Sequence, residues 1–186
     1  EILQYFSDDI RIYNIEADAL YSGIMIDTNN FTAKTGVRTF EAAAFLRRCG
    51  ADVTRVRKMF RDDVKSYKAK AEAIRNVETY KGSFAISVCP SEGIDSPTVV
   101  ASQAANELLN VDSIRASFVL TDYQNKIYIS ARAIDEVNVQ IIMERLGGGG
   151  HINMAGAQLP GISVNEAIRQ LKETLDKMMK EGDIEA

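Results

Sequence analysis

Near Asn76 the pattern of the sequence changes, and this change restricts the fold more than any other feature. Beyond it, short apolar runs alternate with amphipathic stretches, which predicts strands alternating with helices in an α/β module with its own core. The turn-rich residues 122–125 separate two of these strands, so we expect a hairpin there. The predicted strands are 84–89, 114–120 and 127–132, and the predicted helices begin near Pro97, Asn138 and Val164.

Before Asn76 the pattern is mainly helical. Residues 1–6 read as the last turns of a helix with no cap before them, so we expect the chain to continue upstream. The sequence therefore predicts an α/β protein in two lobes, residues 1–76 and residues 77–186. The elements predicted in the first lobe are a strand over 10–14, a helix from Ile15 to about Asp27, a helix over 40–49 capped by Thr39 and ended by Gly50, and one long helix through 55–75 that Asp52 caps.

The composition is that of an ordinary folded protein, with 46% hydrophobic and 26% charged residues. The formal net charge of −4 argues against binding nucleic acid through bulk charge. No apolar run reaches the ~18 residues that a membrane helix needs. Cys49 and Cys89 lie far apart and outside any C-x-x-C motif, which argues against a disulfide framework. We therefore expect a cytoplasmic chain that makes no direct membrane contact.

Four consecutive glycines, Gly147, Gly148, Gly149 and Gly150, precede His151, the single histidine of the chain. Glycine loses much conformational freedom on folding, so such a run needs a reason. One reason is a flexible connection after a helix. The other is an anion site, where backbone N–H groups close on an anion and the histidine contributes at the start of a next short helix. The adjoining histidine favours the anion site.

Ser130 and Arg132 lie two residues apart on the second strand of the predicted hairpin. They therefore share the face opposite Ile127, Ile129 and Ala131. A hydroxyl beside a guanidinium suits phosphate oxygens, although a solvated strand face gives the same pattern. The strand shortly precedes the helix that leads to the glycine run, so both elements could contribute to one pocket.

Asp27 follows an apolar stretch at the predicted end of a helix, where the helix dipole disfavours a carboxylate. A metal cation would resolve this, since hard cations accept carboxylate oxygens. The alternative is an Asx-turn in which Asp27 caps Asn29 or Asn30. Residue chemistry alone slightly favours the Asx-turn.

The segment 147–158, GGGGHINMAGAQ, resembles the signature of the DHH-associated domain, and Ser130-Ala131-Arg132 fits that domain too. Residues 17–31 and 35–40 look like the last part of a DHH phosphoesterase domain. With residues 138–140, the combination is most similar to the membrane-anchored cyclic di-AMP phosphodiesterases of bacteria, the GdpP-like branch.

This resemblance implies that two manganese ions activate a water, which attacks a phosphorus of cyclic di-AMP and opens it to linear pApA. It implies that residues 1–76 are a C-terminal remnant of the DHH domain with a connecting helix, and that residues 77–186 are the DHH-associated substrate-binding domain. Asp27 matches a metal-binding aspartate of the family. The residues that match the substrate-phosphate site are Ser130, Arg132, Gly147, Gly148, Gly149, Gly150 and His151.

The chain departs from the family pattern in its metal ligands. It lacks the family's D-x-D pair and its Asp-His-His motif, so the manganese site is incomplete and the isolated chain is expected to be inactive. Ala133 also follows the arginine where a serine is often found. Two other functions fit the residues. One is a related phosphoesterase acting on short oligoribonucleotides or 3′-phosphoadenosine 5′-phosphate, and the other is a non-catalytic module that binds nucleotide or single-stranded nucleic acid.

The resemblance also implies partners. They are the cyclic dinucleotide substrate, a second copy in a homodimer, and an upstream part of the same polypeptide. The implied parent protein is anchored in the bacterial membrane by a region outside these 186 residues.

Overall fold

The computed structural model describes residues 2–3, 11–32, 34–134 and 137–185. The chain divides into two compact units, residues 1–62 and 63–186. The sequence placed this boundary later, near Asn76. The assignment of residues 1–76 and 77–186 to two named domains stays a prediction.

Over residues 11–32 and 34–62, the first unit contains helices α1 (Asn14–Asp27), α2 (Val37–Arg48) and α3 (Val53–Met59). No strand forms over the described part of 10–14, because residues 11–13 are irregular and Asn14 already begins α1. The predicted helix end at residues 1–6 lies mostly outside the described residues, of which only residues 2–3 belong to it, and these two are helical. The core of this unit consists of Ala17, Tyr21, Ala43, Leu46, Ala51 and Val56.

Two helix boundaries differ from the predictions. Helix α2 begins at Val37, before the predicted cap, and the hydroxyl of Thr39 instead accepts a hydrogen bond from the Gly36 N–H at 3.3 Å. The single helix predicted through 55–75 is wrong, because α3 ends at Met59 and helix α4 begins afresh (Val64–Arg75). Asp63 causes the restart, since its carboxylate accepts hydrogen bonds from the first backbone N–H groups of α4.

The second unit contains a six-stranded mixed sheet of β1 (Glu78–Tyr80), β2 (Phe84–Val88), β3 (Ala116–Tyr123), β4 (Lys126–Ala133), β5 (Gly149–His151) and β6 (Met154–Pro160). The strand order is β1-β2-β3-β4-β6-β5. The pair β2–β3 is parallel, and all other neighbours are antiparallel. The predicted hairpin of β3 and β4 is confirmed, and its turn places Gln124 and Asn125 at positive φ.

Helices cover both faces of this sheet: α5 (Pro97–Leu108), α6 (Val139–Arg145) and α7 (Val164–Glu181), together with α4. One core layer joins the sheet to α6 and α7 through residues such as Phe118, Ile129 and Leu171. The other joins it to α4 and α5 through residues such as Ala73, Leu108 and Val119. Packing of α4 in this second layer explains why the boundary lies before α4 rather than after it. The predicted mixed α/β fold is confirmed.

The sequence did not predict strands β1, β5 and β6. Strand β5 contains part of the glycine run, so the run is neither a flexible connection nor the start of a helix. It turns at Gly147, where φ is +76°, and then pairs with β6 as an edge strand. Within the described ranges, no helix has the length and apolar character needed to span a membrane.

Candidate functional site

Strand β4 carries the two candidate residues on one face, as its alternation requires. Ile127, Ile129 and Ala131 are buried in the core shared with α6 and α7. Ser130 and Arg132 therefore lie on the opposite face, against which α5 packs.

An open cleft of about 580 Å³ lies along this face. It brings Ser130 together with Gly147, Gly148 and Gly149, so the strand and the glycine run do meet in one place. The remaining lining residues are Thr98, Tyr128, Ile129, Gly156, Ala157 and Gln158. The other predicted residues, Arg132, Gly150 and His151, are not among those that line the cleft.

The strand register explains the flat floor of the cleft. Ser130 on β4 pairs with Gly156 on β6, and Gly156 pairs with Gly149 on β5. Three neighbouring strands therefore present one hydroxyl and two glycines in a row. Without side chains at the glycines, a ligand can approach the backbone closely. Thr98, from the first turn of α5, lies at the same cleft.

The four glycines differ in what surrounds them. A Cβ at Gly148 would lie 2.1 Å from the carbonyl oxygen of Gly156, and a Cβ at Gly150 would lie 2.5 Å from the Ala155 Cα. Both positions require glycine so that β5 can pack closely on β6. A Cβ at Gly149 meets no atom within 4 Å. Gly149 is thus a residue whose open side belongs to the cleft rather than to packing, as is Gly147, where the positive φ of +76° also favours glycine.

Arg132 is a buried arginine, with 8% of its surface exposed. Its Nη1 donates to the Ala131 carbonyl at 2.8 Å, and its Nη2 donates to the hydroxyl of Ser102 on α5. Its buried Nε has no hydrogen-bond partner, and no carboxylate among the described residues forms an ion pair with the guanidinium. Burial lowers the pKa of Arg132 because desolvation disfavours the charged form. A buried guanidinium with a spare donor is suited to an anion.

His151 ends the edge strand β5, opposite Met154 on β6, and is exposed. The prediction that His151 lies at the start of a helix is wrong, because His151 is part of strand β5. Its predicted role at a substrate phosphate stays a prediction.

Asp27 is the last residue of α1 and is exposed. The turn after it is closed by Thr28 instead, whose hydroxyl donates to the Ile24 carbonyl at 2.6 Å and accepts from the Phe31 N–H at 3.0 Å. The Asx-turn considered for Asp27 is therefore not what holds this turn. Asn29, Asn30 and Phe31 follow with positive φ.

The described residues do not fit a two-metal site. Among residues 2–3, 11–32, 34–134 and 137–185, no three His, Cys, Asp or Glu side chains cluster closely enough to hold a metal ion. Asp27 is a single carboxylate, and affinity for a divalent ion depends on ligand number and charge. We therefore derive no metal-dependent step from this chain.

Sequence reasoning did not assign to the site the polar side chains of Thr98, Ser102, Tyr128 and Gln158, which lie at or next to the cleft, or the lining residues Ile129, Gly156 and Ala157. Two local signals were available. Tyr128 shares the period-2 face of Ser130, and Thr98 directly follows the predicted helix start at Pro97. Gln158 was noted only as the last residue of the signature segment 147–158, and its place at the cleft had no local signal, because the strand that carries it was not predicted.

The comparisons with known proteins identify the family of the second unit. Residues 81–181 match the DHHA1 domain. The match covers more than half of the chain and all six strands except β1, so the chain belongs to the DHHA1 domain family. The resemblance based on the glycine segment is confirmed.

Two curated relatives match nearly the whole chain. The cyclic-di-AMP phosphodiesterase GdpP of Bacillus subtilis is 43% identical over 98% of this chain, and the cyclic-di-AMP phosphodiesterase PdeA of Listeria monocytogenes is 40% identical over 97%. The chain spans only 28% and 27% of the lengths of these two relatives.

A solved structure supports the fold. The crystal structure of an exopolyphosphatase-related protein from Bacteroides fragilis matches with a TM-score of 0.79 at 21% identity. The match covers 90% of this chain and 51% of that chain.

Proposed function

We propose that this chain is the substrate-recognition part of a manganese-dependent phosphodiesterase that hydrolyses cyclic di-AMP to pApA. Its two named relatives at 40% identity or more are cyclic-di-AMP phosphodiesterases, and the cleft carries donors suited to phosphate. In this proposal residues 77–186 bind the dinucleotide as the DHH-associated domain of the larger protein, and residues 1–76 are the end of its DHH domain with the connecting helix.

The observation that carries the proposal is the buried guanidinium of Arg132. A charge buried without an ion-pair partner is costly unless something supplies the opposite charge. A phosphodiester in the neighbouring cleft supplies it, because the guanidinium charge attracts the phosphate at short range even though the buried Nε does not line the cleft. Ser102 and the Ala131 carbonyl already bind the other two nitrogens, so they hold the guanidinium plane in one orientation.

The cleft beside Arg132 supplies the remaining contacts. The hydroxyl of Ser130 donates to a phosphate oxygen, and the absence of side chains at Gly149 and Gly156 lets the dinucleotide lie against the sheet. The first turn of α5 at Thr98 adds the positive end of a helix dipole. His151, at the end of β5, contributes a further donor in the proposal.

The catalytic part of the proposal concerns the larger protein. Asp27 contributes one metal ligand, and the other ligands come from residues outside this chain, so the isolated chain binds substrate and does not turn it over. The parent is a cytoplasm-facing, membrane-anchored homodimer in this proposal. Manganese bound by the larger protein would supply an activated water, and the part of this chain in the proposal is that Arg132, Ser130 and the glycine floor bind and orient the phosphodiester.

Calorimetric titration of the 186-residue chain with cyclic di-AMP tests the proposal. Arg132→Ala should weaken binding by about 1.5–3 kcal/mol, roughly tenfold or more. Arg132→Met keeps most of the side-chain volume and should show the same loss, which separates charge from packing. Arg57→Ala removes an exposed arginine of α3 and should bind as wild type.

Thermal melting of each variant shows whether it folds. The proposal fails if wild-type chain does not bind cyclic di-AMP, or if folded Arg132→Met binds with unchanged affinity. Parallel titrations with 3′-phosphoadenosine 5′-phosphate and a short oligoribonucleotide test the related phosphoesterase functions.

A further inference from the structure

Beyond the phosphate-binding residues, the cleft contains a pair of side chains suited to a nucleobase. Tyr128 on β4 and Gln158 on β6 are direct cross-strand partners, so they project from the same face of the sheet. They occupy the row next to the one that contains Ser130, Gly156 and Gly149. A base attached to a phosphate at Ser130 would therefore meet an aromatic ring and a carboxamide.

The ring of Tyr128 has a supported position. The ring of Tyr123, near the end of the adjacent strand, lies with its centroid 6.3 Å away at an interplanar angle of 51°. This spacing lies in the favourable range for aromatic pairs. Tyr128 is half-buried, and its ring borders the cleft. It can therefore present a fixed apolar surface to a second ring.

The carboxamide of Gln158 has a defined orientation. The Nζ of Lys126 donates to its Oε1 at 3.3 Å, which fixes the oxygen on the lysine side. No hydrogen bond within the described ranges engages the Gln158 Nε2, so this donor is available to a ligand. Rotating the amide by 180° would place its NH₂ group against the ammonium, so Lys126 disfavours the exchanged orientation.

This arrangement distinguishes adenine from guanine. Adenine presents an exocyclic NH₂ donor beside the N7 acceptor, and a glutamine amide matches this pair with its oxygen and its NH₂ group. Guanine presents two acceptors, O6 and N7, at the same edge. A glutamine oxygen held in place by Lys126 would face O6 and be repelled.

Resting on the proposed function, we infer that Tyr128 and Gln158 form the base-reading part of the cleft. Tyr128 stacks on the purine, and Gln158 selects adenine over guanine. Lys126 is a positioning residue that acts through Gln158.

Titrations with cyclic di-AMP and cyclic di-GMP test the inference on the 186-residue chain. Wild type should bind the adenine dinucleotide more tightly. Gln158→Leu should weaken cyclic di-AMP binding roughly tenfold, the effect of losing one bidentate base contact, and should strengthen cyclic di-GMP binding, because the oxygen that faces O6 is removed. Tyr128→Leu should weaken both, because stacking does not depend on base identity.

Lys126→Ala should keep cyclic di-AMP binding within a few-fold while reducing the preference for adenine. Matched controls remove the same side chains elsewhere: Gln140→Leu on α6 and Tyr67→Leu on α4, neither of which lines the cleft. Both controls should retain wild-type affinity and preference. Melting curves verify that each variant is folded, and Gln158→Glu, which loses the NH₂ donor, is a second variant if Gln158→Leu is unstable.

The possible failures are distinguishable. Tight binding of both dinucleotides with no preference, or a Gln158→Leu variant with an unchanged preference, overturns base reading and leaves the proposed function intact. A wild-type chain that binds neither dinucleotide overturns both. If Arg132→Met weakens binding of both dinucleotides but retains the preference for adenine, the result supports separate phosphate and base contacts.

Discussion

Substituting Gly148 and Gly149 separately should distinguish packing from binding within one glycine run. A methyl group at Gly148 would lie 2.1 Å from the Gly156 carbonyl oxygen, so strands β5 and β6 must move apart to admit it. A methyl group at Gly149 meets nothing within 4 Å and points into the cleft. Adjacent residues of the same type should therefore give opposite results.

The expected magnitudes follow from these contacts. Overpacking of this kind costs about 1–3 kcal/mol, and in a chain of this size 1 kcal/mol corresponds to a Tm change of about 2–4 °C. Gly148→Ala should therefore lower Tm by about 2–12 °C. Gly149→Ala should raise the free energy of unfolding by about 0.4–1 kcal/mol, since alanine restricts the unfolded chain and its native backbone angles are permitted.

Binding should show the reverse order. Gly149→Leu fills the floor of the cleft and should weaken cyclic di-AMP binding roughly tenfold or more, with Tm near that of wild type. Differential scanning calorimetry measures Tm, and isothermal titration measures affinity on the same preparations. Gly23→Leu, at a position on α1 that is equally open and outside the cleft, is the matched control. A folded Gly149→Leu variant with wild-type affinity, or a Gly148→Ala variant with wild-type Tm, would refute the reasoning.

Three further predictions concern Asp18, His151 and the activity of the isolated chain. Hydrogen bonds from Arg55 and from the backbone N–H of Asp52 hold the pKa of Asp18 below its ordinary value of 3.8, so its stabilising effect is complete above that value and is lost as pH falls through the lowered pKa. Asp18→Asn should lower Tm clearly at neutral pH and little at pH ~2 in melting followed by circular dichroism, and an equal loss at both would be inconsistent with this. His151→Ala should weaken cyclic di-AMP binding roughly tenfold in titrations without lowering Tm, because the side chain is exposed. The 186-residue chain with Mn²⁺ and cyclic di-AMP should form no more pApA than a protein-free control, as measured by liquid chromatography. Chelator-sensitive pApA formation would show that the metal ligands were wrongly assigned to residues outside this chain.

The sequence predicted the elements that have strong local signals. Strand β4 alternates clearly, Ser163 and Gly182 mark the two ends of α7, and the hydroxyl of Ser163 does accept a hydrogen bond from the Glu166 N–H. The break between α3 and α4 also had a local signal in Asp63, but the continuous amphipathic stripe across 55–75 outweighed it.

Strand β6 shows why other elements could not be predicted. Its sequence, Met154 to Pro160, contains two alanines, a glycine and a proline, which have weak β propensity. Its pairing with β4 and β5 stabilises it, and that pairing joins residues distant in sequence. The distinct roles of Gly148 and Gly149 depend on β6, so they too could not be read from a run of identical residues. For the same reason, the burial of Arg132 became visible only once α5 was seen to pack beside it, with Ser102 accepting a hydrogen bond from the guanidinium.

Packing on the α5 side of the sheet explains why a cleft exists there at all. Helix α5 packs on β3 and β4, where side chains such as Val119 provide apolar surface. On the neighbouring strands, Gly149 and Gly156 provide none, so a helix packed there would gain little from burial. The glycines that weaken β5 and β6 as strands therefore keep this part of the sheet open. In the proposed function a flat ligand covers it through backbone contact, with Tyr128 at one end of the cleft and the charge of the buried Arg132 beyond Ser130 on β4.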